Sequence, residues 1–292
     1  MGTKVFFRLT RWVGLCALGV ASVVCATAAD LAQARKLYSF TNYDESLQIL
    51  LPMGQKDGPV YLLIGQNYYG LGDLKRATEA LERAIAAEPR NSEYYLWQGR
   101  AYGRRAETSS PFTAPGYASK ARQHFEKSVE LDGKNLEALS DLFEYYLEAP
   151  GFLGGGMDKA TKIAERIAAL NETEGYWARA KIAEKRKEYS GAEQQLRRAV
   201  ELAPAQAGRL VDLAKFLAKQ GRFQESDQAF NAADKVEPNS PKVMFARADA
   251  YIKAGRNLDT ARKLLRQYIG STLTPDDPPR TEAQKLLKQA GS

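Results

Sequence analysis

Between Gly58 and Asn91, apolar and small residues recur at helical spacing, stop at a turn, and then resume. The first run consists of Tyr61, Ile64, Gly65 and Tyr68, and the second of Leu74, Ala77, Leu81, Ala84 and Ile85. Steps of three and four residues place side chains on one face of an α-helix. Gly72 allows the chain to reverse, and Pro89 ends the second helix. This stretch of 34 residues therefore predicts a helix hairpin.

The same pattern returns along the chain from about residue 30 onward. The predicted units span residues 30–57, 58–91, 92–135, 136–172, 173–206, 207–240 and 241–274. A last segment, 278–291, is apolar on one side only, which is typical of the helix that caps a repeat array. No segment shows the alternation of a strand. The pattern predicts an all-α chain of about seven hairpins and a C-terminal cap.

Two units are longer than the others. AETSSPFTAP follows Arg105, between helices predicted at 92–105 and 118–132, and PGFLG follows Ala149, between helices predicted at 136–149 and 157–170. Both insertions fall at the turn inside a hairpin, where repeat proteins tolerate extra residues. Exposed apolar loop residues often contact partners. The candidate loop contacts are Phe112, Phe152 and Leu153.

The order of large, small and proline positions resembles the tetratricopeptide repeat (TPR), whose period is 34 residues. The resemblance implies a right-handed α-solenoid, in which stacked hairpins bury a continuous core and leave a concave inner wall. In this family the first helix of each unit lines that wall. The positions that match are Leu62, Gln66, Tyr69, Arg100, Arg104, Glu144, Trp177, Lys181, Lys215, Lys219, Phe245 and Asp249.

The resemblance implies a non-enzymatic scaffold or adaptor that binds a peptide or protein segment in the groove. The charged residues among these positions are mostly basic, so we expect an acidic or C-terminal peptide as the partner. Two alternatives stay open. Trp177, Tyr69 and Phe245 could stack on a carbohydrate or another small ligand of the cell envelope. A retained N-terminal anchor would instead make the chain a membrane-tethered assembly factor.

Residues 1–28 have the features of a secretory signal peptide. A basic start precedes an uncharged apolar run at 12–25 and the small residues Ala26-Thr27-Ala28. The run is shorter than the roughly 20 residues of a membrane span. We expect cleavage after Ala28 or Ala29 and a periplasmic or secreted protein. Retention as an inner-membrane anchor is the alternative.

Composition argues against several functions. The chain carries 42 basic and 35 acidic residues, and 39 basic residues remain without Lys4, Arg8 and Arg11. The remaining charges alternate along the helices, which is typical of a solvated surface, so we expect no nucleic-acid partner. Cys16 and Cys25 both lie in the predicted signal peptide.

Candidate chemistry is sparse in this sequence. His124 is the only histidine and metal sites need several ligands, so we expect no metal or other cofactor. Gly151–Lys159 lacks the lysine spacing of a phosphate-binding loop. The sequence therefore predicts no catalytic residues.

Overall fold

The computed structural model describes residues 16–291, with side chains placed from Ala28 onward. This part of the chain contains fifteen α-helices and one 3-10 turn, and no strand. The helices are α1 (Cys16–Ser39), α2 (Tyr43–Leu50), α3 (Gly58–Gly70), α4 (Leu74–Ala87), α5 (Ser92–Thr108), α6 (Ala114–Leu131), α7 (Leu136–Glu148), α8 (Met157–Leu170), α9 (Glu172–Lys185), α10 (Tyr189–Leu202), α11 (Ala207–Lys219), α12 (Phe223–Val236), α13 (Pro241–Lys253), α14 (Leu258–Gly270) and α15 (Arg280–Gln289).

Helices pack mainly against their neighbours in the chain, as successive hairpins that stack into an α-solenoid. The core is accordingly a row of apolar clusters along the stack. Phe143, Phe230 and Tyr268 are fully buried in three of them. Each hairpin buries its apolar face only by stacking on the next, which is why the array ends on a helix such as α15.

Small residues let the two helices of a hairpin approach closely. A Cβ atom on Gly65 of α3 would lie 2.6 Å from Leu81 Cγ of α4. The turn between these helices uses Gly72 at φ 77°, a conformation that glycine adopts without steric cost. Asp73 then caps α4 by accepting a hydrogen bond from the Arg76 backbone N–H at 3.0 Å. The choices of residue in the repeat therefore follow from close packing and tight reversal.

The structure corrects the predicted helix ends around the first insertion. Helix α5 continues to Thr108 and α6 begins at Ala114, so the helices do not end at Arg105 and restart at Ala118. Half of AETSSPFTAP, residues 106–108 and 114–115, lengthens the two helices, which gain stability from packing along their added residues. The remaining loop holds Phe112, whose side chain is 95% exposed.

The second insertion forms the 3-10 turn, Gly151–Leu153. The turn ends at Gly154, which has φ 87°. Tyr145 Oη donates a hydrogen bond of 2.9 Å to the Leu153 carbonyl, which ties the turn back to α7. Phe152 remains 83% exposed, while Leu153 is half-buried.

The first helix starts earlier than predicted. It begins at Cys16, ahead of the first predicted unit at residues 30–57, and runs without a break through the predicted cleavage position. Leu31, Ala34 and Tyr38 pack against the first core cluster, and all three follow that position. Residues 1–15 of the predicted signal peptide lie outside the described part of the chain. None of the described helices combines the length and the apolar character that a membrane crossing requires.

Candidate functional site

Two cavities along the first helices of the units collect most of the residues predicted for the inner wall. One, which we call the arginine cavity, has a volume of about 550 Å³ and includes Tyr69, Arg100, Arg104 and Glu144. The other, the lysine cavity, has a volume of about 560 Å³ and is lined by Lys181, Lys215, Lys219, Lys253, Asp249 and Phe223 among others. Side chains four residues apart lie on one helix face, which is why each helix contributes pairs such as Lys215 and Lys219.

Arg100 at the arginine cavity is already paired. Its Nε lies 2.6 Å from Asp141 Oδ2, and its Nη2 lies 3.0 Å from Glu137 Oε2. Both acids belong to α7 of the following unit. The guanidinium also lies 5.1 Å from the centre of the Trp97 ring. Arg100 therefore joins two units and has little charge left for a partner.

The arginine cavity has an acidic lining, contrary to the expectation of a basic wall. Arg100 and Arg104 face Glu107, Asp141, Glu144 and Glu148. Burial raises the pKa of Asp141 although Arg100 opposes the shift. Desolvation inside the groove also raises the pKa of Glu144, and the charge of Asp141 adds to it. A basic ligand group would relieve this crowding of carboxylates.

Repeat position predicted Glu144 but not Glu107, Asp141 and Glu148, because only one set of positions in the repeat was considered. Glu137, Asp141, Glu144 and Glu148 follow helical steps of three and four residues along α7. Residues at this spacing form a stripe on one face of a helix. That acidic stripe was visible in the sequence. Its meeting with Arg100, 41 residues away, depended on how the units stack.

The lysine cavity has a basic lining. Lys181, Lys215, Lys219 and Lys253 surround it, against Asp249. Lys253 Nζ lies 2.7 Å from Asp249 Oδ2, and Lys219 Nζ lies 3.2 Å from Glu184 Oε2. Within residues 28–291, Lys181 and Lys215 make no such ion pair. Two of the four ammonium groups are therefore available to a ligand.

The ammonium group of Lys215 lies in an unfavourable environment for its charge. Desolvation within the groove lowers its pKa, and the nearby charges of Lys181 and Lys253 lower it further. Asp212 and Asp249 act in the opposite direction. A ligand carboxylate placed here would favour the charged form of Lys215, because an opposite charge stabilises an ammonium ion.

The apolar residues predicted for the wall pack partly or wholly in the core. Leu62 is only 8% exposed and belongs to the first core cluster, so it packs between helices instead of lining the groove. Trp177 meets Phe143 edge-on at 5.6 Å, and Phe245 lies 5.2 Å from Tyr268. Both are half-buried against core clusters. A large residue at these positions fills the space between stacked units.

The other predicted residues lie outside the lysine cavity. Gln66 borders a cleft that faces the C-terminal segment of the chain. Leu153 lines the arginine cavity, and so the second insertion forms part of its edge. Phe112 and Phe152 line none of the cavities described above and are exposed at the turns of successive hairpins.

His124 has a packing role in the structure. Its ring stacks on Tyr102 with ring centres 5.5 Å apart, and it lies 5.9 Å from the ring of Tyr95. Burial lowers its pKa, which favours the neutral imidazole. Among residues 28–291, no group of three or more His, Cys, Asp and Glu side chains is arranged to hold a metal ion.

Comparison with known proteins relates the chain to repeat proteins. A tetratricopeptide repeat family model matches residues 62–106 and 211–278. A tetratricopeptide repeat protein from Parabacteroides merdae is 12% identical, with a TM-score of 0.59 over 91% of this chain and 99% of the other. A TPR protein from Thermus thermophilus is 21% identical, with a TM-score of 0.54 over 65% of this chain and 98% of the other. At these identities the similarity shows the fold alone. No curated protein matches the sequence.

Proposed function

We propose that this chain, which matches a tetratricopeptide repeat family model at residues 62–106 and 211–278 and has the fold of such proteins, is a non-enzymatic scaffold whose lysine cavity binds an acidic segment of a partner protein. The fold supports a protein-interaction role in general, because stacked repeats create an extended concave surface for binding. The choice of an acidic partner depends on the charges around the lysine cavity.

The arrangement of the four lysines carries this proposal. They surround one cavity of about 560 Å³ with a single aspartate in its lining. Two of them already hold acidic partners of the chain, which shows that carboxylates fit against this surface. An acidic segment would supply such groups to Lys181 and Lys215 as well. Charge complementarity of this kind sets the specificity and association rate of a complex.

The polarity of the groove adds an orientation to the proposal. The positive charge of Lys181 is close enough to Glu144 to oppose the rise in the pKa of Glu144. The acidic and basic stretches of the wall therefore adjoin. A segment with acidic residues toward α11 and α13 and basic residues toward α7 would match both stretches. The reverse orientation would place like charges together, which costs affinity.

Charge reversal tests the lysine cavity. The double variant Lys181→Glu, Lys215→Glu should weaken binding of a short glutamate-rich fluorescent peptide about tenfold or more, equivalent to about 1.4 kcal/mol. The matched control is Lys162→Glu, Lys235→Glu, which makes the same charge change at exposed positions on α8 and α12. Fluorescence anisotropy at low and moderate salt measures both.

The binding proposal fails if the two double variants lose the same affinity. Equal losses would mean that only the net charge of the protein matters. It also fails if an uncharged peptide of the same length binds the wild-type protein as tightly as the acidic peptide does. Circular dichroism of each variant checks that the helices remain intact.

We also propose that the protein is exported and acts in the periplasm. The basic start, the apolar run and the Ala26-Thr27-Ala28 site support this address. The core contacts of α1 at Leu31, Ala34 and Tyr38 would remain after cleavage at residue 28 or 29. Cell fractionation with N-terminal sequencing tests the proposal. A full-length N-terminus in the membrane fraction would favour the anchored alternative, and a cytoplasmic protein would contradict both.

A further inference from the structure

The two ends of the solenoid touch each other. Arg280 Nη1, at the start of α15, donates a hydrogen bond of 3.1 Å to Thr41 Oγ1, which follows α1. These residues are 239 positions apart in the chain. The stack of units therefore closes into a ring, and the segment before α15, residues 273–279, lies at the place where the ring closes.

This closing segment is firmly held on its own side. Leu273 is buried, and Tyr268 Oη donates a hydrogen bond to the Pro278 carbonyl. The Asp277 carboxylate accepts a hydrogen bond of 2.8 Å from the Thr274 backbone N–H, which shapes a turn. Arg280 also donates to the carbonyls of Ile269, at 3.1 Å, and Ser271, at 2.8 Å. The segment is thus an ordered part of the structure that presents Pro275, Asp276 and Pro278–Pro279.

The wall opposite the closing segment is aromatic and carries a cation. Tyr38 and Tyr43 lie 5.7 Å apart, and Tyr69 and Trp97 lie 5.6 Å apart, measured between ring centres. Arg104 stands beside them. Two clefts of about 260 and 290 Å³ separate this wall from the closing segment. The hydrogen bond of Arg280 to Thr41 spans the gap.

The chemistry of the two sides is complementary. Aromatic-lined grooves bind proline-containing segments, which lose little conformational entropy because proline restricts the backbone in advance. Pro279 has φ −58° and ψ 143°, close to the polyproline II values found in such segments. Asp276 and Asp277 line the same cleft as Arg104 and so bring negative charge to its basic side. The charges of Asp276 and Asp277 also help to raise the pKa of Tyr43, although burial is the main cause and Arg280 opposes it.

We propose that this aromatic wall is a second docking surface, for an acidic proline-containing segment of a partner, and that the chain's own residues 273–279 stand in its place in the free protein. The closing segment acts as a latch. A partner that binds the wall displaces the segment and opens the ring. This surface is separate from the lysine cavity, and so the two proposals succeed or fail independently.

Peptide binding tests the docking surface. The probe is a fluorescent peptide with the sequence of residues 272–280, TLTPDDPPR. To exclude the lysine cavity, binding is measured in the Lys181→Glu, Lys215→Glu background. Thr41→Ala removes the contact across the ring and leaves the bonds of Arg280 to Ile269 and Ser271 in place. Because a closed latch lowers the fraction of binding-competent protein, this variant should bind the peptide about fivefold more tightly than its parent.

Two controls accompany the peptide measurement. Arg266→Ala removes an exposed arginine from α14 and should leave affinity unchanged. Arg104→Glu should weaken binding about tenfold, whereas Arg90→Glu, at an exposed position outside these clefts, should not. A peptide with both aspartates replaced by asparagine should bind more weakly. The proposal is overturned if no variant binds TLTPDDPPR, or if Thr41→Ala and its parent bind it equally.

Spin-label distances give a readout that needs no ligand. Labels at Asn42→Cys and Thr272→Cys, with Cys16 and Cys25 replaced by serine, place one exposed reporter on each side of the ring closure. Thr41→Ala and saturating TLTPDDPPR should each shift the distance distribution to longer values. Arg266→Ala should not. An unchanged distribution with the peptide bound would show that it binds elsewhere, and would also contradict the latch.

Discussion

Two glycines on the same face of helix α5 should respond in opposite ways to a methyl group. Gly99 and Gly103 are one helical turn apart. A Cβ atom on Gly99 would lie 2.5 Å from Phe125 Cδ1 and 2.6 Å from Cε1, both within the hairpin core. A Cβ atom on Gly103 would meet no atom within 4 Å. The two Gly→Ala variants therefore share the same backbone effect and differ in packing.

The magnitudes follow from these distances. Replacing glycine by alanine inside a helix stabilises it by about 1 kcal/mol, because alanine loses less conformational freedom on folding. Gly103→Ala should show this gain. At Gly99 the added methyl overpacks the Phe125 ring, which costs about 1–3 kcal/mol. Gly99→Ala should therefore destabilise the protein by up to about 2 kcal/mol, so that the variants differ by about 1–3 kcal/mol.

Urea unfolding followed by circular dichroism measures the difference. Repeat arrays can unfold in parts, so hydrogen exchange of the α5 amides should accompany it and report the local free energy of opening. Equal stability of Gly99→Ala and Gly103→Ala would contradict the packing cost at Gly99. That result would mean that the hairpin opens without cost and that close approach at Gly99 is not needed. Because Gly103 borders the arginine cavity, the Gly103→Ala variant also tests whether a methyl group in that cavity disturbs binding of the glutamate-rich peptide.

Three further predictions concern charge, capping and exposure. Binding of a glutamate-rich peptide should weaken as the pH rises, and this loss should begin below the ordinary lysine pKa of 10.5. The pKa of Lys215 is lowered, and its neutral amine cannot pair with a carboxylate. In a pH titration of peptide affinity, Lys215→Arg should keep its affinity to higher pH. Asp73→Ala should cost about 1 kcal/mol in thermal unfolding through loss of a helix cap. Because the backbone N–H of Arg76 lowers the pKa of Asp73, this contribution should be present above the ordinary aspartate pKa of 3.8 and be lost as the pH falls through the lowered value, with no such change for Asp73→Asn. Phe112→Ser and Phe152→Ser should change unfolding free energy by less than about 0.5 kcal/mol, because both side chains are exposed, and a larger loss would show that they pack.

The repeat pattern determined which residues belong to the same helix and hairpin. Helices α3 and α4 follow from it because spacing, turn and cap residues act within about 34 neighbouring positions. The end of α5 and the start of α6 did not follow from the repeat pattern. Helix propensity alone does not show that part of AETSSPFTAP extends two helices that pack on each other. Local signals thus located the helices, and packing adjusted their lengths.

The inner wall shows more clearly which properties follow from local sequence and which depend on tertiary packing. Repeat position indicated Arg100 and Lys215 as wall residues, but it did not show their electrostatic surroundings. Asp141 neutralises Arg100 from the next unit, while Lys215 lies among other lysines. Sequence position records which helix face a side chain occupies, whereas the charge of a cavity depends on every helix that borders it.

The sequence alone determined that this chain is an all-α array of helix hairpins, because amphipathic spacing and turn residues act over short distances. Only the tertiary structure decided where the array ends in space. The curvature summed over all units brings Arg280 to Thr41 and places residues 273–279 in front of an aromatic wall. Small rotations between neighbouring units add up along a solenoid, and no local pattern encodes their total. The latch and the acidic and basic stretches of the groove arise from that sum.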